Sequence, residues 1–457
     1  MSEDGAPQDG QGRFAAARRS ALLEQLRAAR ARRPAAEQAE RPAPARRAAR
    51  RSFDFSTLPA HKQMRMQRAA AEMMGIEPPF FRVQEGYAAQ TCVIEGRELL
   101  NFSSYNYLGL NGHPHVRAAA KAAIDRYGVS VSASRVVAGE RDLHRRLEQA
   151  LARFLGVEDA AAFVSGHATN VTAIGTLLGP RDLALVDALA HNSIYEGARL
   201  SGATRITFPH NDFAWVDDFL TRRRGDFERV LIAVEGLYSM DGDAPDLPAF
   251  VEVKSRHDAW LMVDEAHALG VLGATGRGIA EAQGVDPASV EIWMGTLSKT
   301  LSSCGGYIAG SAALVDLLKA TAPGFVYSVG LAAPLTAAAL AALEVLEAEP
   351  ERVARLQRNG ARLLERARAA GLDTGLSQGF AVTPVIVGDS ARAAILSDMV
   401  RRRGVNALPI TFPAVPEKQA RLRFFVSADH APEQIDRAVE ITAAALPEAL
   451  ARPLIAG

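Results

Sequence analysis

Residues 260–270 read WLMVDEAHALG, an apolar run that ends on Asp264 and Glu265 with His267 just beyond. A continuous apolar run too short for a helix reads as a strand buried on both faces, and its polar end then lies at the carboxyl edge of a sheet. Further runs of this texture recur along the chain: AAFVS (161–165), LALVD (183–187), TRITF (204–208), VLIAVE (230–235), EIWMGT (291–296) and YIAG (307–310). Helical patterns separate most of them, which predicts an α/β fold around a mostly parallel sheet. In such sheets ligands bind beyond the carboxyl ends of the strands. Asp264 and His267 share one side if the chain turns helically after the strand. A buried carboxylate there is costly unless a positive group faces it.

Working outward, the segment GTLSKTLSSCGGYIAG (295–310) places Lys299 just past a strand among small and hydroxyl residues. Alone, such a lysine reads as a surface side chain. A phosphate-binding P-loop needs glycine directly before the lysine, and Ser298 stands there. Asp264 with His267 could form part of a metal site, but two ligands without a third make a poor one. A pyridinium nitrogen facing Asp264, with Lys299 forming a Schiff base to the same ring, accounts for both residues. SGHATN (165–170) follows a strand and opens a helix, which suits backbone donation to a phosphate. His191, after LALVD, is placed to stack on an aromatic ring.

The chain has 457 residues, 48% hydrophobic and 23% charged, with 52 basic and 52 acidic side chains. The neutral total averages unlike parts. Residues 1–51 carry 12 Arg against 6 acids, so the remainder is slightly acidic. A nucleic-acid binder would hold its basic excess on the folded body, so that class is set aside. Cys92 and Cys304 form no CxxC pair, which excludes a cysteine zinc site and points to a reducing compartment. No apolar run is long enough to span a membrane, and the start MSEDGAPQDG lacks a secretory pattern. The expected location is the cytoplasm. Residues 1–51 read as a disordered tail or a docking helix for an acidic partner. Phe53 onward is globular, with a helix near His61–Met74, strands near Thr91–Ile94 and Glu98–Phe102, and a long helix over about Pro334–Ala370. VTPVIVG (382–388), RLRFFVS (421–427) and a helix from Pro432 read as a smaller α+β domain.

From Phe53 to the C-terminus the chain resembles the α-oxoamine synthases, pyridoxal-phosphate enzymes of the aspartate-aminotransferase fold (fold type I). That family includes serine palmitoyltransferase, aminolevulinate synthase, aminoketobutyrate ligase and oxononanoate synthase. The resemblance rests on NFSSYNYLGL (101–110), SASRVVAGERDLHRRLE (132–148), SGHATN, AHNSIYEG (190–197), EGLYSMDGD (235–243), VDEAHALGVLGATGRG (263–278), GTLSKT (295–300) and RLRFFVSADH (421–430). It implies a segment 52–98 packed with the small domain, a large cofactor domain over 99–345 and a small domain over 346–457.

The resemblance also implies roles. Lys299 would be the Schiff-base lysine and proton carrier, and Asp264 the partner of the ring nitrogen. His267 and Ser239 would hold the ring hydroxyl, and His191 would stack on the ring. Gly166, His167, Thr296 and Ser298 would hold the phosphate, with Ser328 reaching it from a partner subunit of a homodimer. Tyr105, Ser134 and Arg423 would contact substrate. Arg423 would grip the amino-acid carboxylate, although Arg421 lies on the same presumed strand face. Tyr105 and Val136 resemble serine palmitoyltransferase, Val329 departs from a frequent second hydroxyl, and the block from Phe55 to Val83 resembles polyketide-pathway versions. The implied reaction is a decarboxylative Claisen condensation of serine, alanine or glycine with an acyl thioester. The thioester would be carried on coenzyme A or on an acyl carrier protein, whose acidic surface would suit the cationic tail. The rivals are an aminotransferase or lyase of the same fold, and a non-catalytic regulatory subunit.

Overall fold

The computed structural model describes residues 54–454, so the reading of residues 1–51 as a tail or docking segment lies outside the described residues. Contacts divide the chain into two units, Met1–Gln67 and Arg68–Gly457. In the first, Asp54 caps a short 3-10 turn, Phe55–Thr57, by accepting from the Ser56 N–H at 2.9 Å. The helix Pro59–Met73 begins there.

The second unit is built on the apolar runs. Seven of its strands form one sheet: β3 (Asp159–Phe163), β4 (Leu183–Asp187), β5 (Thr204–Phe208), β6 (Val230–Glu235), β7 (Trp260–Asp264), β8 (Ile292–Thr296) and β9 (Gly306–Gly310). Before them come β1 (Thr91–Ile94) and β2 (Arg97–Asn101). The sheet order is β3-β9-β8-β7-β6-β4-β5. From β8 to β5 every pairing is parallel. Only β9 runs against its neighbours β8 and β3. The connection 297–305 is too short for the crossover that a parallel neighbour requires, so the chain turns back. Both faces of the sheet are covered: Val230, Ile232 and Val234 of β6 pack in one core cluster, Leu231 and Ala233 in another.

Two small sheets complete the unit. β10 (Val382–Gly388), β13 (Ala420–Phe425) and β12 (Leu408–Ile410) are antiparallel in that order, and β11 (Val405–Asn406) pairs in parallel with β2. Strands as short as β11 and β12 leave no periodic signal in the sequence, and Pro409 is tolerated because β12 is an edge. The long helix expected over Pro334–Ala370 is two helices, Ala333–Ala348 and Glu351–Ala369. Pro350 separates them, since its ring fixes φ and clashes with a helical residue before it.

The interior strand β6 gives a direct check on this packing. Ile232 is fully buried, and Ile232→Ala should cost about 2–5 kcal/mol in urea unfolding.

Candidate active site

The carboxyl ends of β3 and β8 meet in a polar cradle. Past β3, Ser165 caps the helix Gly166–Leu177, accepting from the Ala168 N–H at 3.5 Å. The Gly166 and His167 N–H groups, first in that helix, have no partner among the described hydrogen bonds. A Cβ at Gly166 would stand 2.9 Å from Thr296 Oγ1, so only glycine lets the helix start this close to β8. The Thr296 hydroxyl donates to the Gly305 carbonyl at 2.9 Å and accepts from the Ser298 N–H at 3.2 Å. Free N–H groups at a helix N-terminus beside two hydroxyls make a site for an anion.

At the end of β7, Asp264 is 4% exposed. Its carboxylate accepts from Asn170 Nδ2 at 2.8 Å and from the Ala266 N–H at 3.0 Å. Asn170 also donates to Ser193 Oγ at 2.9 Å, and Ser193 Oγ lies 2.6 Å from His191 Nδ1, so one network joins Asp264 to His191. His191 N–H donates to Glu235 Oε1 at 2.6 Å. Glu235 ends β6 in register with Asp264. Burial, and then the Asp264 charge, push the Glu235 carboxyl well above its ordinary range. Desolvation lowers the His191 pKa; Lys299 and His167 add to this, against the pull of Asp264.

Lys299 sits opposite. Desolvation, with a smaller push from Arg423, lowers its pKa to about 8 against the pull of Asp264 and Glu235. Its Nζ lies 5.6 Å from the Tyr105 ring centre. Thr300, the next residue, anchors the segment by donating to the Leu269 carbonyl at 2.7 Å. His267 is buried, with Nδ1 2.7 Å from the Tyr107 hydroxyl, and its ring is parallel to Phe425. Desolvation first, then Lys299 and Arg423, hold His267 well below its ordinary pKa, which leaves it neutral.

The two arginines of β13 part company. Arg421, 2% exposed, is taken up by Asp241 at 2.6 Å and by the Met240 carbonyl at 3.0 Å. Arg423 donates to the Ser239 carbonyl at 3.0 Å, to Met240 Sδ at 3.3 Å and to the Tyr105 hydroxyl at 3.4 Å, while its buried Nε has no partner among the described residues. Arg423 therefore has an unmet donor, and Arg421 is bound within the fold.

The remaining expected residues are less tightly joined. Ser239 is buried and its hydroxyl makes no hydrogen bond among the described residues. Ser134 caps the short helical turn Arg135–Gly139. Ser328 bonds only to the Val329 carbonyl, at 3.2 Å. Neither Ser134 nor Ser328 hydrogen-bonds to the cradle within this chain. A cavity of about 290 Å³ beside Lys299 is lined by Ser103, Ser104, Tyr105 and Asn106 among others. A larger one, about 570 Å³, lies at the opposite ends of the strands around Val157, Trp260 and Ile292, and no expected site residue lines it. Among the described residues no group of three or more His, Cys, Asp or Glu is placed for a metal.

Asn170, Ser193, Glu235 and Tyr107 were not singled out from the sequence. Glu235 carried a signal, since its strand ends on a carboxylate as β7 does. Asn170 and Tyr107 lie far along the chain from their partners, and only the fold joins them.

The chain matches the family described as aminotransferase class I and II over residues 97–441. The 8-amino-7-oxononanoate synthase of Symbiobacterium thermophilum is 42% identical over 347 residues, covering 76% of this chain and 88% of that protein. The same enzyme of Methylocella silvestris is 42% identical, covering 76% and 96%. Among solved structures, Sphingomonas wittichii serine palmitoyltransferase superposes with a TM-score of 0.82 at 30% identity, covering 88% of this chain and 100% of its own. The S. paucimobilis serine palmitoyltransferase with PLP–myriocin bound gives 0.83 at 29% identity, covering 87% and 99%.

The contrast on β13 is measurable. Arg421→Ala strands the buried Asp241 and should cost about 3–5 kcal/mol in chemical denaturation. Arg423→Ala loses bonds to the neutral Ser239 carbonyl, Met240 Sδ and Tyr105 hydroxyl and strands no buried charge, so it should cost less, about 1–2 kcal/mol.

Proposed function

This chain belongs to the aminotransferase class I and II family, and within it to the pyridoxal-phosphate-dependent α-oxoamine synthases; from that premise we propose how its residues divide the condensation of a small amino acid with an acyl thioester. The relatives at 41–42% identity are α-oxoamine synthases, so the aminotransferase and regulatory-subunit readings are not carried forward.

Pyridoxal phosphate fits the residues present. The unpartnered Gly166 and His167 N–H groups, with the Thr296 and Ser298 hydroxyls, suit its phosphate, and the buried Asp264 carboxylate suits a protonated ring nitrogen. When bound, the cofactor supplies an aldehyde for an amine and a ring that accepts charge from the neighbouring carbon. His191 would stack on the ring, and His267 with Ser239 would hold its hydroxyl. Ser328 would complete the phosphate site from the second subunit of a homodimer.

Lys299 would hold the cofactor, and it moves the α-proton. With its pKa lowered to about 8, the amine is far more readily neutral near neutral pH than that of an ordinary lysine. Arg423 takes the substrate carboxylate as a fork. Lys299 removes the α-proton, the carbon attacks the thioester carbonyl and the thiol leaves. Loss of carbon dioxide and return of the proton from Lys299 give an α-amino ketone. Ser134 contacts substrate, and the amino acid is glycine, alanine or serine. The thioester is carried on coenzyme A or on a carrier protein.

One observation carries this reading. Lys299 and Arg423 converge on Tyr105, from its ring face and its hydroxyl, and Arg423 Nε is left buried without a partner. An amino acid has the two ends that such a site lacks.

Product mass spectrometry tests the reaction. Cofactor-loaded protein given the three amino acids and acyl thioesters should release an α-amino ketone lighter than the condensed acid by one carbon dioxide. Ketoacid products alone, with any donor, would remove the synthase reading. Lys299→Ala should form no ketone above background. Arg423→Ala should raise the amino-acid KM at least about tenfold and spare the thioester KM.

A further inference from the structure

Behind the cradle lies a buried ionic group that the roles above do not use. His210, just past β5, stands between two carboxylates, with Nδ1 2.8 Å from Asp187 Oδ1 and Nε2 2.8 Å from Asp243 Oδ2. Asp187 ends β4 and is fully buried, and Asp243 is 4% exposed. Asn211 spans the same pair, its N–H donating to Asp187 at 2.8 Å and its Nδ2 to Asp243 at 2.9 Å. The Tyr238 ring meets the imidazole edge-on at 4.5 Å. Burial alone would discharge His210, but the two carboxylates hold its pKa up to about 10, so it stays a cation at neutral pH.

Asp243 closes the loop 236–243. The Tyr238 N–H donates to the Asp243 carbonyl and the Gly242 N–H to the Tyr238 carbonyl, each at 2.9 Å, which makes the loop stiff. Its far side faces β13. There the Ser239 carbonyl and Met240 Sδ receive Arg423 Nη1, while Asp241 and the Met240 carbonyl receive Arg421. The loop is therefore gripped between the His210 cation on one side and two guanidinium groups on the other.

We propose that His210 is a positioning residue for the substrate carboxylate: by pinning Asp243 to Asp187 it fixes the loop 236–243, and through the Ser239 carbonyl it fixes the direction of the Arg423 fork. This rests on the reading of Arg423 as the carboxylate-binding group. Without His210, two buried carboxylates confront each other across the space it leaves. Like charges at that range take up a proton or separate, and either outcome loosens Asp243, which Asn211 then holds to Asp187 without the cation, and with it the acceptor of Arg423.

The test compares holoenzymes of wild type, His210→Gln, Asp243→Asn and Arg423→Ala. Each is titrated with alanine and with alaninamide, and binding is read from the change in cofactor absorption, without turnover. Wild type should prefer the carboxylate, and Arg423→Ala should lose that preference. His210→Gln should lose at least about tenfold of it and Asp243→Asn a smaller part, with the thioester KM within about twofold of wild type. A structural role alone would lower the melting temperature and leave the preference intact. If Arg423→Ala loses the preference and His210→Gln keeps it, the proposal is overturned and the carboxylate assignment stands. If Arg423→Ala keeps it, the assignment fails and takes the proposal with it. Should His210→Gln not fold, Asp243→Asn carries the same comparison, and an undiminished preference there overturns the proposal.

Discussion

A carboxylate held out of water at the end of β7 is the constraint on which the site depends. Asp264 has two hydrogen-bond donors, Asn170 and the Ala266 N–H, and the rest of its charge must be answered by cations across the cleft. Its field reaches the neighbouring groups. It helps raise the Glu235 carboxyl above its ordinary range, it limits the fall of the Lys299 pKa, and it opposes the discharge of His191. Desolvation alone would drive the cleft towards neutral groups, and Asp264 holds Lys299 where the amine is part charged and part free near neutral pH.

The sheet supplies this arrangement by ending its strands at one level. β3, β6, β7 and β8 deliver the helix start at Gly166, then Glu235, Asp264 and Thr296, and the short return to β9 carries Lys299 across them. β13 closes the opposite side. There the loop 236–243 sorts two arginines that a strand places on one face: Asp241 neutralises Arg421, and Arg423 meets neutral acceptors, the Ser239 carbonyl, Met240 Sδ and the Tyr105 hydroxyl. A charge bound within the fold adds rigidity, and a guanidinium with a buried, unmet N–H is left for a ligand.

Much of this was legible in the sequence, for physical reasons. Strands buried on both faces must be apolar throughout, so the runs around β3–β9 announced themselves, and Lys299, Asp264 and His191 stood out as polar residues just past them. The direction of β9 was not legible, because the texture of a buried strand is the same in either sense. Nor was the break at Pro350, which lies inside an otherwise continuous helical pattern. The choice between Arg421 and Arg423 could not be made from spacing, since residues two apart share a strand face. It turns on Asp241, distant in the chain. Asn170 and His210 were passed over for the same reason: each reads as an ordinary polar residue until the fold brings its carboxylates to it. The chain resembles serine palmitoyltransferase at Tyr105 and Val136 and is 41–42% identical to oxononanoate synthases, which defines the reaction class and leaves the substrates to experiment.

The central claim is that Asp264 sets the charge of Lys299, and it is tested by titrating that amine. Protein freed of cofactor is treated at a series of pH values with a small aldehyde and borohydride, and modification of Lys299 is quantified by peptide mass analysis in wild type and Asp264→Asn. The wild-type amine should titrate near 8 and the variant at a lower pH, because the charge that favours the ammonium form is gone. A wild-type value near that of an ordinary lysine, or a variant value equal to or above wild type, would contradict the account.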